Sequence, residues 1–168
     1  RQENKMALLQ SHLHRQKERG RDHSTIVFCR TKHATQKLSD KLNRQGFRSD
    51  AIHGDKSQKA RQKALDGFRS GRSPILIATD VAARGIDVPS ISLVVNYDLP
   101  ESEDSYVHRI GRTARAEAKG NATSFCTAKD THLLRQIEKY IGLKINVDAE
   151  HEFHDLEAAE RSQRGGRS

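Results

Sequence analysis

The sequence contains few of the residues that mark a disulfide-stapled or membrane-embedded protein. Its 168 residues include two cysteines, one methionine and no tryptophan. Cys29 and Cys126 stand far apart, each inside an apolar run, so we expect buried, reduced thiols rather than a disulfide or a metal-binding pair. No apolar run is long enough to cross a bilayer, and no signal-peptide pattern is present. We therefore expect a cytoplasmic chain with no membrane partner.

Acidic residues are also in the minority. Lysine and arginine together number 30 against 22 aspartates and glutamates, which gives a formal net charge of +8. This balance favours a polyanionic partner such as nucleic acid, although many basic proteins bind none. The length suits one domain with a proper core. The chain begins with Arg1 rather than methionine, so we expect it to be a piece of a longer protein.

Short apolar runs alternate with longer amphipathic stretches. The pattern predicts strands at 25–29, 47–53, 74–79, 91–97 and 122–126, and helices at 5–16, 33–45, 57–70, 103–112 and 129–140. In the last helix Leu133, Leu134, Ile137 and Tyr140 are expected to face inward. The alternation predicts an α/β domain whose central, mainly parallel sheet is covered by helices on both faces.

The composition changes near the end of the chain. We predict one domain over residues 1–147, followed by a tail at 148–168 that is first acidic and then rich in Arg and Gly. The tail has little to bury, so we expect it to be disordered.

Arginines recur at three-residue spacing in the run 108–115. Arg109, Arg112 and Arg115 are expected to crowd one edge of a helix and its end, which is costly unless an anion lies opposite. Guanidinium groups suit phosphate oxygens because they donate paired hydrogen bonds and stay charged. A solvated basic helix face is the alternative, but Tyr106 and Ile110 interleave with the arginines. We therefore interpret the run as an anion-binding site.

Polar residues follow three of the predicted strands, where ligands bind in open α/β sheets. At the end of the strand predicted at 74–79, Thr79 can donate to a phosphate, and further along Asp87 can accept from a ribose hydroxyl. An equally good interpretation of this segment is an ordinary helix start, at which Asp80 is merely the N-terminal cap. Gly54 precedes a predicted helix whose first turns contain Gln58 and Arg61. The free N–H groups at the start of that helix attract phosphate. In isolation an ordinary strand–turn–helix is favoured there, and the segment 28–32 says little alone.

Taken together, residues 5–145 resemble the C-terminal RecA-like domain of DEAD-box RNA helicases. The segment 27–31 is similar to motif IV, 58–61 to the QxxR element, 78–87 to motif V and 108–115 to motif VI. Four motifs in the right order are far more specific than any one alone. The amino-acid sequences of segments 53–58 and 114–117 resemble those of the RhlE-type branch of this family. Ala114 and Glu117 depart from the family, which usually has Gly at or near these positions.

The resemblance implies a RecA-like three-layer sandwich that serves as the second motor domain of an ATP-dependent RNA helicase. Arg112 and Arg115 would be arginine fingers and His108 would couple the two domains. Asp87 would bind the ATP ribose, with Arg84 and Gly85 lining the interface. The expected RNA-binding residues are Arg30, Gly54, Gln58, Arg61 and Thr79.

The implied cofactor is ATP with Mg²⁺, held mainly by an N-terminal RecA-like domain outside this chain. The implied partners are that domain and RNA, bound through its backbone without sequence preference. We expect a monomer.

Three other readings explain less. A stand-alone RNA-binding module leaves the arginine spacing unexplained. A receiver-like domain with Asp80 as phosphoacceptor needs an acidic pair after the first strand, which instead ends in Cys29-Arg30-Thr31. A metal site at His12 and His14, or at His151 and His154, lacks nearby cysteine ligands, so no metal site is expected.

The sequence lacks both Gly-x-x-x-x-Gly-Lys-Ser/Thr and Asp-Glu-Ala-Asp, which an ATPase needs to hold the phosphates and Mg²⁺. We therefore predict that this chain alone does not hydrolyse ATP measurably. The measurement is phosphate release by the purified chain with and without RNA, with the longer protein as the positive control. RNA-stimulated release at rates typical of a whole enzyme would refute the prediction.

Overall fold

Strands and helices alternate along the chain as predicted. The computed structural model describes residues 2–18, 24–88, 91–112 and 121–148. The strands are β1 (Thr25–Phe28), β2 (Ser49–Ile52), β3 (Ile75–Ala78), β4 (Leu93–Asn96) and β5 (Asn121–Ser124). The helices are α1 (Lys5–Glu18), α2 (Lys32–Arg44), α3 (Gln58–Ser70), α4 (Asp80–Ala83), α5 (Glu103–Ile110) and α6 (Thr131–Ile141). The predicted tail lies outside the described residues from 149 onward.

The strands form one parallel sheet in the order β2-β3-β1-β4-β5. The central strands β1, β3 and β4 are buried throughout, because helices cover both of their faces. This confirms the predicted parallel sheet. The order also differs from the 2-1-3-4-5 order of receiver-like domains, so the topology excludes the receiver-like reading.

Two apolar layers sandwich the sheet. Successive β1 residues point to opposite faces, so Ile26 and Phe28 pack on one side while Val27 and Cys29 pack on the other. The first layer is completed by α3 and α4, and the second by α1 and α2. The predicted covering of both faces is confirmed.

A third apolar cluster joins α5 to α6. Leu99, Tyr106, Leu134 and Ile137 are buried together, and Ile145 packs against them. The inward placement expected for Tyr140 is wrong, because its side chain is 58% exposed. It lies on the flank of the apolar stripe of α6, where its hydroxyl donates to Asp104 Oδ1 at 3.0 Å.

Polar residues directly after the strands start the helices. Thr31 accepts a hydrogen bond from the backbone of Ala34 to cap α2, and Ser57 accepts from Ala60 to cap α3. These caps fix where each helix begins and thereby where its first turn stands at the edge of the sheet.

In the described part of the chain no helix is long and apolar enough to span a bilayer.

The two thiols differ in environment, although neither takes part in a disulfide. Cys29 is buried as expected, whereas Cys126 is only half-buried. Burial and, to a smaller extent, the nearby Asp98 carboxylate raise the pKa of the Cys29 thiol to about 12. Cys29 is therefore a protonated, unreactive thiol at neutral pH.

We predict that iodoacetamide at about pH 8 alkylates Cys126 at least about tenfold faster than Cys29 in the folded protein, because the thiolate is the reactive form. Peptide mass spectrometry over a time course measures both rates. Unfolding in urea should bring the two rates together. Equal rates in the folded protein would contradict the assigned burial and pKa of Cys29.

Candidate functional site

The carboxyl ends of the parallel strands gather several sequence-predicted site residues at one edge of the sheet. Arg30 follows β1, Gly54 follows β2 and Thr79 follows β3. In the register Phe28 pairs with Ala78, which also pairs with Ile52. Residues that are far apart in the sequence are therefore brought to neighbouring positions.

Arg109 is buried at this edge, with 2% of its surface exposed. Its Nε and Nη2 donate to the two carboxylate oxygens of Asp80 at 2.6 and 2.7 Å. Its Nη1 donates to Asn96 Oδ1 at 3.2 Å and to the carbonyl of Asp98 at 2.7 Å. The guanidinium also lies 5.0 Å from the centroid of the Phe28 ring. This residue joins α5 to the loops after β3 and β4.

This burial corrects the expectation that Arg109 and Arg112 crowd one edge opposite an anion. Arg109 is on the inward face of α5 with Tyr106, three residues earlier. Its counter-anion is Asp80 of the same chain. Arg115 lies outside the described residues, as do Ala114 and Glu117.

Arg112 follows the end of α5 and is half-buried. Its Nη1 donates to the carbonyl of Ile86 at 2.5 Å and its Nη2 to the carbonyl of Ala83 at 2.8 Å. These contacts were not predicted from the sequence. The side chain is held against the loop after α4 by neutral acceptors.

A cleft of about 240 Å³ opens between α5 and the loop after α4. It brings together four of the sequence-predicted residues, namely Arg84, Gly85, His108 and Arg112. The rest of its lining consists of Phe28, Asp80, Ala83, Ser105 and Arg109. Arg84 and His108 are exposed at its rim. Because the Asp80 carboxylate is neutralised by Arg109, the cleft presents a net cationic set of donors.

The loop after α4 needs glycine at position 85 for its conformation. Gly85 has φ +72°, and an added Cβ would meet no atom within 4 Å. The left-handed turn, rather than close packing, therefore requires the glycine. Asp87 is exposed and is not among the residues that line the cleft. Its carbonyl accepts from Arg69 Nη2 at 2.7 Å, which anchors the loop to α3.

Thr79, rather than Asp80, caps the short helix α4. Its hydroxyl oxygen accepts from the backbone of Ala82 at 3.4 Å. The alternative interpretation of Asp80 as a cap is therefore wrong, because both of its carboxylate oxygens bind Arg109. The Thr79 hydroxyl hydrogen can still be donated, since capping uses only an oxygen lone pair.

The segment after β2 carries Gly54, Gln58 and Arg61. Gly54 and Gln58 are exposed, and Arg61 is half-buried within the first turns of α3. The neighbouring His53 ring accepts from the backbone of Asp55 at 3.3 Å through Nδ1 and contacts Gln36 Oε1 at 3.0 Å through Nε2. Burial, followed by the nearby Lys56 charge, lowers the pKa of His53. The neutral ring that this favours can make both hydrogen bonds.

Arg30 is held at the edge by the loop after β4. Its backbone N–H donates to Asp98 Oδ2 at 2.9 Å, and its Nη2 donates to the carbonyl of Leu99 at 3.1 Å. Asp98 and its partner Lys5 were not predicted from the sequence. A detectable signal was present, because Asp98 is a carboxylate just after a predicted strand, like Asp80.

No metal centre is formed by the described residues, among which no three His, Cys, Asp or Glu side chains lie together. The His12 ring packs against Phe125 at 5.9 Å, and the His14 ring packs against Phe47 at 5.0 Å between centroids. His151 and His154 lie outside the described residues.

Residues 4–117 match the family described as the helicase conserved C-terminal domain. The chain is 50% identical over 123 residues to the ATP-dependent RNA helicase DeaD of Buchnera aphidicola, covering 73% of this chain and 20% of that protein. It is 48% identical over 145 residues to the ATP-dependent RNA helicase DbpA of Bacillus subtilis, covering 86% and 29%. The chain thus spans less than a third of the length of these curated relatives.

Solved structures of DEAD-box proteins have the same fold. The Escherichia coli protein SrmB, solved bound to the regulator of ribonuclease activity A, superposes with a TM-score of 0.78 at 40% identity, covering 89% of this chain and 87% of that chain. Saccharomyces cerevisiae Dbp5, solved bound to RNA and ADP BeF3, gives a TM-score of 0.77 at 34% identity, covering 96% and 43%. These matches confirm the RecA-like fold.

Replacing Arg109 by methionine should destabilise the chain by about 3 kcal/mol, because Asp80 and Asn96 lose a buried partner. Urea unfolding measures the difference. As a control, Arg69→Met removes an exposed arginine that also binds a carbonyl and should cost less than about 1 kcal/mol. Similar losses in the two variants would show that burial of the Arg109 network contributes nothing special.

Proposed function

Because this chain belongs to the helicase conserved C-terminal domain family, as that domain occurs in DEAD-box RNA helicases, we propose that it is the second motor domain of an ATP-dependent RNA helicase. The observation that supports this proposal most directly is the cleft at the carboxyl edge of the sheet, which is lined by Arg84, Gly85, His108 and Arg112. In sheets of this class, ligands bind at that edge. The chain would complete an ATP site whose larger part belongs to an N-terminal RecA-like domain.

The donor set of the cleft suits phosphate groups. Arg84 and Arg112 carry fixed positive charge, and Asp80 is already neutralised by Arg109. ATP with Mg²⁺ supplies the phosphoanhydride bond and neutralises its own phosphate charge. Arg112 and Arg115 would stabilise the transferring phosphoryl group, and Asp87 would accept from the ribose. Gly85 and His108 would line the surface between the two domains.

Arg112 is well suited to change partners. Two of its hydrogen bonds go to the neutral carbonyls of Ala83 and Ile86. Bonds between a charged donor and a phosphate are stronger than bonds to neutral acceptors. A phosphate presented by the partner domain would therefore draw Arg112 away from its loop, whereas Arg109 would keep its carboxylate partner.

RNA would bind along the same edge of the sheet. The contributing residues would be Arg30, Gly54, Gln58, Arg61 and Thr79. Gln58 and Arg61 lie in the first turns of α3, where free backbone N–H groups and the helix dipole favour an anion. Contacts of this type reach the sugar–phosphate backbone and do not read bases, so binding would be independent of sequence.

The remaining assignments follow the resemblance. The amino-acid sequences of segments 53–58 and 114–117 support membership of the RhlE-type branch. A monomeric protein fits the expectation that the site is completed within one polypeptide. Dbp5, a structural relative solved with RNA, supports RNA as the partner here.

Replacing Arg112 by alanine in the longer protein should lower RNA-stimulated ATPase activity by about 10³-fold, since an arginine finger contributes roughly that much. RNA binding, measured by fluorescence anisotropy, should stay within about threefold because phosphate contacts elsewhere persist. Phosphate release under saturating RNA is the primary measurement.

Arg44→Ala is the matched control, because Arg44 is an exposed arginine at the end of α2 and is not among the residues that line the cleft. It should keep both activities. A stand-alone RNA-binding module, the second candidate function, predicts the opposite pattern for Arg112→Ala, in which RNA binding falls and no ATPase activity depends on the residue.

A further inference from the structure

Asp98 contacts three separate segments of the chain. It follows β4 and lies beside the end of β1, where its backbone N–H donates to the carbonyl of Phe28 at 3.3 Å. Its Oδ2 accepts from the backbone N–H of Arg30, and its backbone carbonyl accepts from Arg109 Nη1. Its Oδ1 accepts from Lys5 Nζ at 3.1 Å. Every polar group of the residue is therefore engaged.

Lys5 is an unusual partner because it is buried. Only 4% of Lys5 is exposed, and the Asp98 side chain is 18% exposed. The Lys5 ammonium also lies 5.5 Å from the centroid of the Tyr97 ring. Lysine is almost never buried unless it is paired. The ion pair with Asp98 is therefore what allows Lys5 to be buried in the first turn of α1.

Two of the Asp98 contacts lead to residues that the proposed function places beside different ligands. Arg30 is a proposed RNA contact, and its guanidinium also donates to Leu99 next to Asp98. Arg109 binds Asp80 at the wall of the cleft where the nucleotide would lie. A single residue thus contacts both a proposed RNA-binding residue and the arginine that forms the wall of the cleft.

We propose that Asp98 is a positioning residue that couples RNA binding to nucleotide binding, with Lys5 holding its carboxylate from α1. The role rests on the proposed helicase function. Asp98 touches neither ligand itself in this arrangement. It acts by keeping the backbone of Arg30 and the guanidinium of Arg109 in one fixed geometry.

Asp98→Asn tests the carboxylate with little change in volume. Asparagine offers one acceptor and one donor group in place of two acceptors. The amide oxygen should stay with the Lys5 ammonium, because a hydrogen bond from a charged donor is the stronger one. The NH₂ then faces the Arg30 N–H, and that contact opens. The backbone contact to Arg109 remains available, so the variant releases Arg30 from its relation to the cleft.

The experiment uses the longer protein, a labelled oligouridylate and the non-hydrolysable analogue adenylyl-imidodiphosphate. The ratio of the RNA dissociation constants without and with the analogue measures the coupling. We expect Asp98→Asn to reduce this ratio by about tenfold or more, with RNA affinity in the absence of nucleotide within about threefold. An unchanged ratio would overturn the proposal.

The double variant Lys5→Met, Asp98→Ala separates positioning from stability. It removes the buried cation that Asp98→Ala alone leaves unpaired, so thermal stability should recover relative to that single variant. Coupling should stay low, because alanine offers the Arg30 N–H no side-chain acceptor. Recovery of coupling together with stability would show that Asp98 only neutralises Lys5, and it would sink the positioning role.

Glu138→Gln is the matched control. The Glu138 carboxylate is buried and accepts from Lys144 Nζ at 3.2 Å and from the backbone of Ile145 at 2.9 Å, the same kinds of partner that Asp98 has. Its partners lie after α6, and it should keep full coupling. An equal loss in Glu138→Gln would overturn the proposal. If the wild-type protein shows no coupling at all, the helicase function itself fails, which is a different outcome from intact wild-type coupling with no effect of Asp98.

Discussion

A buried guanidinium must find acceptors for its donors, and Arg109 meets this requirement by drawing three segments together. Its partners come from the start of α4, from the end of β4 and from the loop after β4. Leaving such a charge unpaired would cost several kcal/mol, so these segments can take few other arrangements. The wall of the cleft, the position of α5 and the direction in which Arg112 leaves the helix all depend on this set of contacts.

Neighbouring arginines on one short element therefore have different tasks. Arg109 faces a carboxylate within its own domain, whereas two hydrogen bonds of Arg112 go to backbone carbonyls. A charged acceptor binds a guanidinium more strongly than a neutral one, so the carbonyl contacts of Arg112 are the ones that we propose a phosphate would replace. This difference in partners, rather than any difference in side-chain chemistry, separates a structural arginine from one that is available to a phosphate.

Much of the fold could be predicted from the residues. Apolar runs such as 25–28 and 75–78 are typical of buried strands, because they are short and rich in β-branched residues. Thr31 and Ser57 mark helix starts through their capping chemistry. Tyr140 was placed wrongly because a 3.6-residue period is broad, and a phenol at the margin of the stripe can turn its hydroxyl to the surface. Asp98 and Lys5 were missed because their pairing spans 93 positions of sequence.

The sequence by itself determined the alternation of strands and helices, the four motifs with their order, and the cationic character of the run at 108–115. These are local properties, set by side-chain polarity and spacing along a few turns or one strand. Only the tertiary structure decided the sheet order β2-β3-β1-β4-β5, the burial of Arg109 against Asp80, and the convergence on Asp98. The reason is physical: each of these depends on the free energy of desolvating charges that meet only after distant segments have packed.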